Sequence, residues 1–200
     1  MTSLAEWDAK HRGAEAEAAP EPAAIVGELL PLLPRGPALD LACGTGRHTL
    51  LLAGRRQPLT AVDGSEAALE ILERRASAAK YAVSRSYANG QITGSRKGIQ
   101  LVHADLERAR LAPRSFAAIL CVNYLQRSLF REIETALAPG GMLLFETYTE
   151  AQLDFEGGPR NREHLLELGE LRTAFPGLLV VFYRELRAGK GIASLLGRKR

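Results

Sequence analysis

The sequence predicts an α/β fold built on a mostly parallel sheet with helices on both faces. Three observations carry that expectation. Short apolar runs alternate with helix-like segments five times between residues 38 and 147. Two β-like runs, 177–186 and 192–197, then flank Ala188-Gly189-Lys190-Gly191, which reads as a hairpin. Finally, 200 residues that are 46% hydrophobic and 24% charged suit one globular domain with a substantial core.

Composition narrows the function classes. No apolar run approaches about 18 residues, so no membrane span is expected. MTSLAEWDAKHRG lacks the apolar centre of a secretory signal, and a cytoplasmic protein is expected. Cys43 and Cys121 both fall in apolar surroundings and read as free thiols rather than a disulfide. His11, His48, His103 and His164 have no metal-ligand spacing with each other or with the cysteines, so no metal is expected. A net charge of +3 permits a polyanionic partner without demanding one.

Taken in order, residues 1–34 are distinct in character. Leu4–His11 carries Trp7, the single tryptophan, among charges, and Ala14–Ala24 is rich in Ala, Glu and Pro. Ala23–Leu33 reads as an amphipathic helix ended by Pro34, with 34–37 turning into the first strand. Ala38–Ala42 is that strand, Cys43–Gly46 a tight turn, and Arg47–Gly54 a helix. Two glycines one residue apart let the backbone approach a ligand closely, and the helix start offers unpaired N–H groups. Asp40 lies four residues before Gly44, where its charge would repel a pyrophosphate but suit a cationic, amino-bearing cofactor. Thr49 stands where a dinucleotide fingerprint has its third glycine. Both features favour S-adenosylmethionine over a nicotinamide dinucleotide.

Leu59–Val62 is the second strand, closing on Asp63-Gly64-Ser65, with Ser65 an N-cap for a helix over Glu66–Arg75. Asp63 follows Gly46 by 17 residues, a spacing at which a carboxylate reaches ribose hydroxyls. Residues 80–98 are polar, contain Asn89-Gly90, and read as a loop or insertion. Ile99–Ala104 and Ser115–Asn123 are the third and fourth strands. Leu129–Leu137 is a helix stopped by Pro139-Gly140-Gly141, and Met142–Thr147 is the fifth strand. Residues 157–162 form a loop, and Glu163–Phe175 reads as a helix broken at Gly169.

DLACGTG resembles motif I of the class I S-adenosylmethionine-dependent methyltransferases, and LAPGGMLLFETY is a second signature of that family. The resemblance runs from about Pro37 to the C-terminus. It implies a Rossmann-like, seven-stranded sheet ending in the antiparallel hairpin, preceded by a lid segment over 1–34. It also implies cofactor contacts at Asp40, Ala42, Cys43, Gly44, Thr45, Gly46 and His48, and ribose contacts at Asp63, Gly64 and Ser65. Ala104, Asp105 and Leu106 would face the adenine, and Cys121, Val122 and Asn123 the methionine portion. Acceptor contacts are expected among Trp7, Tyr124, Tyr148, Arg160 and Arg162.

Family members that methylate planar amino groups carry Asn/Asp-Pro-Pro-Tyr/Phe after the fourth strand; here Asn123-Tyr124-Leu125-Gln126 has no proline. The phrases DLACGTGRHTLLLA, VNYLQRSLF and ETY are similar to the tellurite-resistance and thiopurine types, which implies a small-molecule acceptor and a monomer or homodimer. The alternatives are a nucleic-acid or protein methyltransferase, a non-catalytic cofactor-binding module, and a nicotinamide-dependent reductase.

Overall fold

The computed structural model describes residues 4–13, 20–88 and 90–200. Much of the predicted Ala/Glu/Pro-rich segment and Asn89 of the predicted Asn89-Gly90 turn lie outside the described residues. Ten strands form: β1 Ala38–Leu41, β2 Leu59–Asp63, β3 Val83–Tyr87, β4 Gln91–Ile92, β5 Ile99–His103, β6 Arg110–Leu111, β7 Phe116–Val122, β8 Leu137–Tyr148, β9 Leu178–Arg187 and β10 Gly191–Lys199. The helices are α1 Leu4–Gly13, α2 Ala24–Leu29, α3 Arg47–Ala53, α4 Glu66–Ala78, α5 Phe130–Ala136 and α6 Glu170–Thr173.

Eight strands make the main sheet in the order β3-β5-β2-β1-β7-β8-β10-β9, and β4 pairs with β6 apart from it. Every neighbouring pair is parallel except those made by β10, which runs antiparallel to both β8 and β9. The central strands are apolar throughout because both their faces are covered. Side chains alternate between two cores. Leu39, Leu41, Ile119, Leu143 and Phe145 enter one, with Phe130 and Phe175. Ala38, Ala61, Leu120, Leu144 and Leu196 enter the other, with Ile25, Val26 and Leu29 of α2 and Leu69 and Leu72 of α4.

The expected seven strands become eight because β3 forms inside the predicted loop. Its sequence, VSRSY, has little apolar content to advertise a strand. As an edge it needs only backbone pairing with β5, from Val83↔Ile99 to Tyr87↔His103. Arg85 then ties it to Glu66 and Glu73 of α4 at 2.5 and 3.2 Å.

Two further expectations are corrected. The predicted helix over Glu163–Phe175 is reduced to a 3₁₀ turn at Arg162–His164 and the four-residue α6. Between them Leu166 N–H donates to Tyr148 C=O and Glu150 N–H to Leu166 C=O, so residues 165–166 extend the end of β8 instead of a helix. Gly169, at φ 81°, restarts the chain into α6. Pro139-Gly140-Gly141, expected to lie ahead of the fifth strand, is inside β8, with an irregular register opposite Phe116–Ala118. A Cβ on Gly141 would lie 2.8 Å from Ala138 O and 3.0 Å from Ala117 O, so only glycine fits there. The predicted helix over Ala23–Leu33 stops at Leu29 and continues as a 3₁₀ turn through Leu32.

Candidate active site

The carboxyl ends of β1, β2, β5 and β7 meet along one edge of the sheet, where ligands of parallel α/β proteins bind. The turn after β1 coils through left-handed conformations at Ala42 (φ 56°), Gly44 (φ 53°) and Gly46 (φ 89°). At Gly46 an added Cβ would sit 2.1 Å from Leu72 Cδ1, so the turn is pressed directly on α4. Around Gly44 no atom lies within 4 Å of the Cβ position; this side is open to a ligand.

Asp63, at the end of β2, clasps the glycine turn. Its Oδ2 accepts from Gly44 N–H at 2.7 Å and its Oδ1 from Ser65 N–H at 2.8 Å. Burial raises its pKa, opposed by these donors and by the nearby His11. Each oxygen keeps a lone pair for a further donor.

Asp40 lies beneath the turn and is 1% exposed. Burial pushes its carboxyl up to about 7, against the pull of Thr49. Thr49 Oγ1 donates to Asp40 Oδ2 at 2.6 Å. The residue that breaks the dinucleotide pattern thus supplies the hydroxyl a buried carboxylate needs. That pairing of a strand acid with a helix threonine nine residues on was readable in retrospect, but no spacing rule pointed to it.

His48 is buried and its Nε2 accepts from Ala23 N–H at 3.1 Å, pinning the segment before α2 to the start of α3. Burial brings its pKa down to about 4, so the ring is neutral and Nε2 is free to accept. Thr45 C=O accepts from Arg75 of α4 at 3.1 Å. Cys43 N–H bonds Val62 C=O at 3.0 Å, and burial raises both the Cys43 and Cys121 thiols. Neither thiol is poised for nucleophilic chemistry.

After β5, Ala104 N–H donates to Asp63 C=O, and Asp105 Oδ1 accepts from Glu107 N–H at 3.0 Å. Gln126 bridges Leu106 C=O to the loop after β7, and the Tyr124 hydroxyl bonds the Gln126 side chain. Asn123 is exposed at φ 61°, its N–H held 2.8 Å from Glu146 C=O. Asp40, the glycine turn, Asp63, Asp105 and Asn123 are therefore brought to one crevice.

Helix α1 packs on its β2 side. Asp8 Oδ1 accepts from Ser65 Oγ at 2.6 Å and Ala67 N–H at 3.1 Å, adding a second cap to α4. Ser65 Oγ, having given its proton to Asp8, accepts from Ala68 N–H and from His11 Nδ1 at 3.0 Å. These bonds hold the Asp8 carboxyl down at about 2. Trp7 stacks on His11 and is 41% exposed.

Of the other expected acceptor contacts, Tyr148 ends β8 beside the crevice, half-buried. Arg160 and Arg162 are engaged by the loop that follows: Arg160 donates to the carbonyls of Leu153 and Phe155, and Arg162 pairs with Glu150 at 2.6 Å. Sequence reasoning missed Arg127, which binds Glu170 and the carbonyls of Glu163 and Leu165, and missed the buried pair Glu146–Ser194. Among the described residues no three His, Cys, Asp or Glu side chains are placed to hold a metal, and no helix is long and apolar enough to cross a membrane.

The fold is shared with solved structures of low sequence identity. TehB from Haemophilus influenzae superposes with a TM-score of 0.70 at 17% identity, over 92% of this chain and 64% of that one. A chain solved in work on the conversion of a disulfide bond into a thioacetal group during echinomycin biosynthesis gives 0.67 at 19%, over 98% and 92%. An S-adenosylmethionine dependent methyltransferase from Mesorhizobium loti gives 0.64 at 20%, over 88% and 98%. No curated protein sequence matches the chain. The methyltransferase domain family does match, over residues 38–141, which run from the first residue of β1 through the glycine pair of β8. With just over half of the chain inside that match, this protein belongs to the methyltransferase domain family.

Proposed function

We propose that this enzyme transfers a methyl group from S-adenosylmethionine to a small-molecule acceptor. Family and fold make S-adenosylmethionine the cofactor. The observation that carries the reading is Asp63, fixed by Gly44 and Ser65 at the mouth of an open glycine turn. Its remaining lone pairs accept the ribose hydroxyls; a phosphate there would be repelled. Gly44 and Gly46 keep side chains out of the cofactor's path, and Asp105 with Leu106 receives the adenine. Asp40 supplies negative charge beneath the turn, matched to a cofactor that carries an ammonium and a sulfonium.

The bound cofactor supplies an already activated methyl group. The chain's contribution is alignment of acceptor and methyl carbon, worth about 7–11 kcal/mol in well-oriented systems. Segment 1–34 acts as the lid, its helix α1 resting on the turn that carries Asp63. A small acceptor is favoured over a nucleic acid because arginines around the crevice are already engaged: Arg85 with Glu66 and Glu73, Arg127 with Glu170, Arg162 with Glu150. Phosphate-backbone binding needs such cations uncommitted.

Calorimetric titration tests the reading. Binding of S-adenosylmethionine and S-adenosylhomocysteine, with no binding of NADH or NADPH, is the expected outcome. Asp63→Ala should weaken it by about 1–3 kcal/mol, the range for hydrogen bonds to a charged group. Selective binding of a nicotinamide cofactor, or unchanged affinity in a folded Asp63→Ala protein, would overturn it.

A further inference from the structure

The crevice continues past the cofactor residues onto β8, and there the sheet face changes character. The side chains of Asp40, Asp63 and Glu146 all project to the face that carries Ala61, Leu120, Leu144 and Leu196, as strand alternation requires. One register row below Glu146 runs Leu120–Leu144–Leu196–Phe182, apolar throughout. The next row toward the crevice runs Val122–Glu146–Ser194–Arg184, with three adjacent polar side chains.

Glu146 is 3% exposed and Ser194 is fully buried. Ser194 Oγ donates to Glu146 Oε2 at 2.6 Å. Among the described residues nothing donates to Oε1. On the far side of Ser194, Arg184 has its Nε buried without a partner. One hydroxyl does not repay the cost of taking a carboxylate out of water. A row left short of partners at both ends, in an otherwise apolar face, is arranged to receive polar atoms from elsewhere.

Its position says from where. Asn123 N–H bonds Glu146 C=O, so the carboxylate is anchored to the first residue past β7. Three strand spacings, about 14 Å, separate β2 with Asp63 from β8 with Glu146. The glycine turn after β1 and the end of β7 lie between them.

We propose that Glu146, oriented by Ser194, binds the methyl acceptor through an N–H or O–H of its nucleophilic atom and takes that proton during transfer. The inference rests on the methyl-transfer reading and adds the acceptor class: an amine or hydroxyl compound rather than a thiolate or an oxyanion. The acceptor nitrogen or oxygen forms its bond to the methyl carbon while the carbon–sulfur bond breaks and its electron pair stays on sulfur. The proton shed by nitrogen or oxygen passes to Glu146 Oε1 and then to water. Arg184, beyond Ser194, favours the ionised carboxylate between turnovers.

The test compares wild type with Glu146→Gln, which can still accept the Ser194 hydrogen bond. Both are assayed with saturating S-adenosylmethionine against tyramine, 2-phenylethylamine and catechol, and against thiophenol, 2-mercaptoethanol and tellurite. Turnover of the first set is expected, falling about 100-fold or more in kcat for Glu146→Gln, the usual worth of a positioned proton acceptor. Calorimetric binding of the same acceptor to the S-adenosylhomocysteine complex should weaken in parallel, while cofactor affinity and melting temperature stay at wild-type values. Turnover confined to the second set, no turnover of the first, or an unchanged Glu146→Gln protein overturns the proposal. Failure of wild type to bind S-adenosylmethionine is a different result, and removes the methyl-transfer reading beneath it.

Discussion

The two halves of the crevice are built in opposite ways. The cofactor half, around β1 and β2, is made of short sequence segments and backbone groups: left-handed turns at Ala42, Gly44 and Gly46, and N–H donors from Gly44 and Ser65 converging on Asp63. The β8–β10–β9 half is made of side chains from distant strands. Its Glu146–Ser194 pair spans 48 residues of sequence. Backbone geometry tolerates almost any neighbouring side chain, whereas a side-chain row can be changed one residue at a time. A fold that keeps one cofactor while accepting many acceptors is expected to divide its site in this manner.

The largest effect that would break this contrast is at Gly46. An alanine there takes an unfavourable φ of 89° and drives its Cβ into Leu72. Gly46→Ala should lose about 2–6 kcal/mol of stability and nearly all cofactor binding, seen as a fall in melting temperature and a flat titration. Wild-type affinity in that variant would show that the backbone of the turn does not make the cofactor half.

Asp40 gives an intermediate effect with a defined sign. Its folded pKa, about 7, stands above the ordinary 3.8 because of burial. Below the lower value both states are protonated and nothing is lost. As pH rises from there to about 7 the unfolded chain ionises freely while the folded one holds its proton, so stability falls by about 4 kcal/mol at most. Urea unfolding at pH 5 and pH 8 should show this decline in wild type and its near absence in Asp40→Asn. Because the ionised form is the one matched to a cationic cofactor, binding below pH 7 should also release a proton, measurable by calorimetry in buffers of different ionisation enthalpy.

The smallest effect sharpens the comparison at its rim. Helix α1 is fastened by Asp8 on Ser65 and Ala67, and Ser65 still caps α4 without it. Asp8→Ala should cost no more than about 1 kcal/mol globally. Amide exchange over residues 4–13 should nevertheless accelerate, and cofactor dissociation with it. Unaltered exchange there would mean that α1 is held by something other than this cap.

The legibility of the chain follows the same division. Strands β1, β2, β5, β7 and the core of β8 are contiguous apolar runs, since both faces are covered, and glycine or proline marks their ends. The β9–β10 hairpin is announced by Gly189 and Gly191. β3 was invisible because an edge strand of serine and arginine needs no apolar pattern. Residues 163–175 misled because their apolar spacing suits a helix, while the end of β8 offered Leu166 better backbone partners. In the site, Asp63 was readable from its distance to the glycines. The roles of Thr49 toward Asp40, Ser194 toward Glu146 and Asp8 toward Ser65 were not, as each is a side-chain meeting between separate elements.

What the sequence alone determined is the order of buried strands and the glycine turn, with Asp40 and Asp63 at its sides. Those depend on local sterics and on apolar runs that have nowhere to go but inside. What only the tertiary structure decided is the edge strand, the seat of α1, and the row of Glu146, Ser194 and Arg184 on one sheet face. Those depend on register between strands far apart in the chain, which no local pattern encodes.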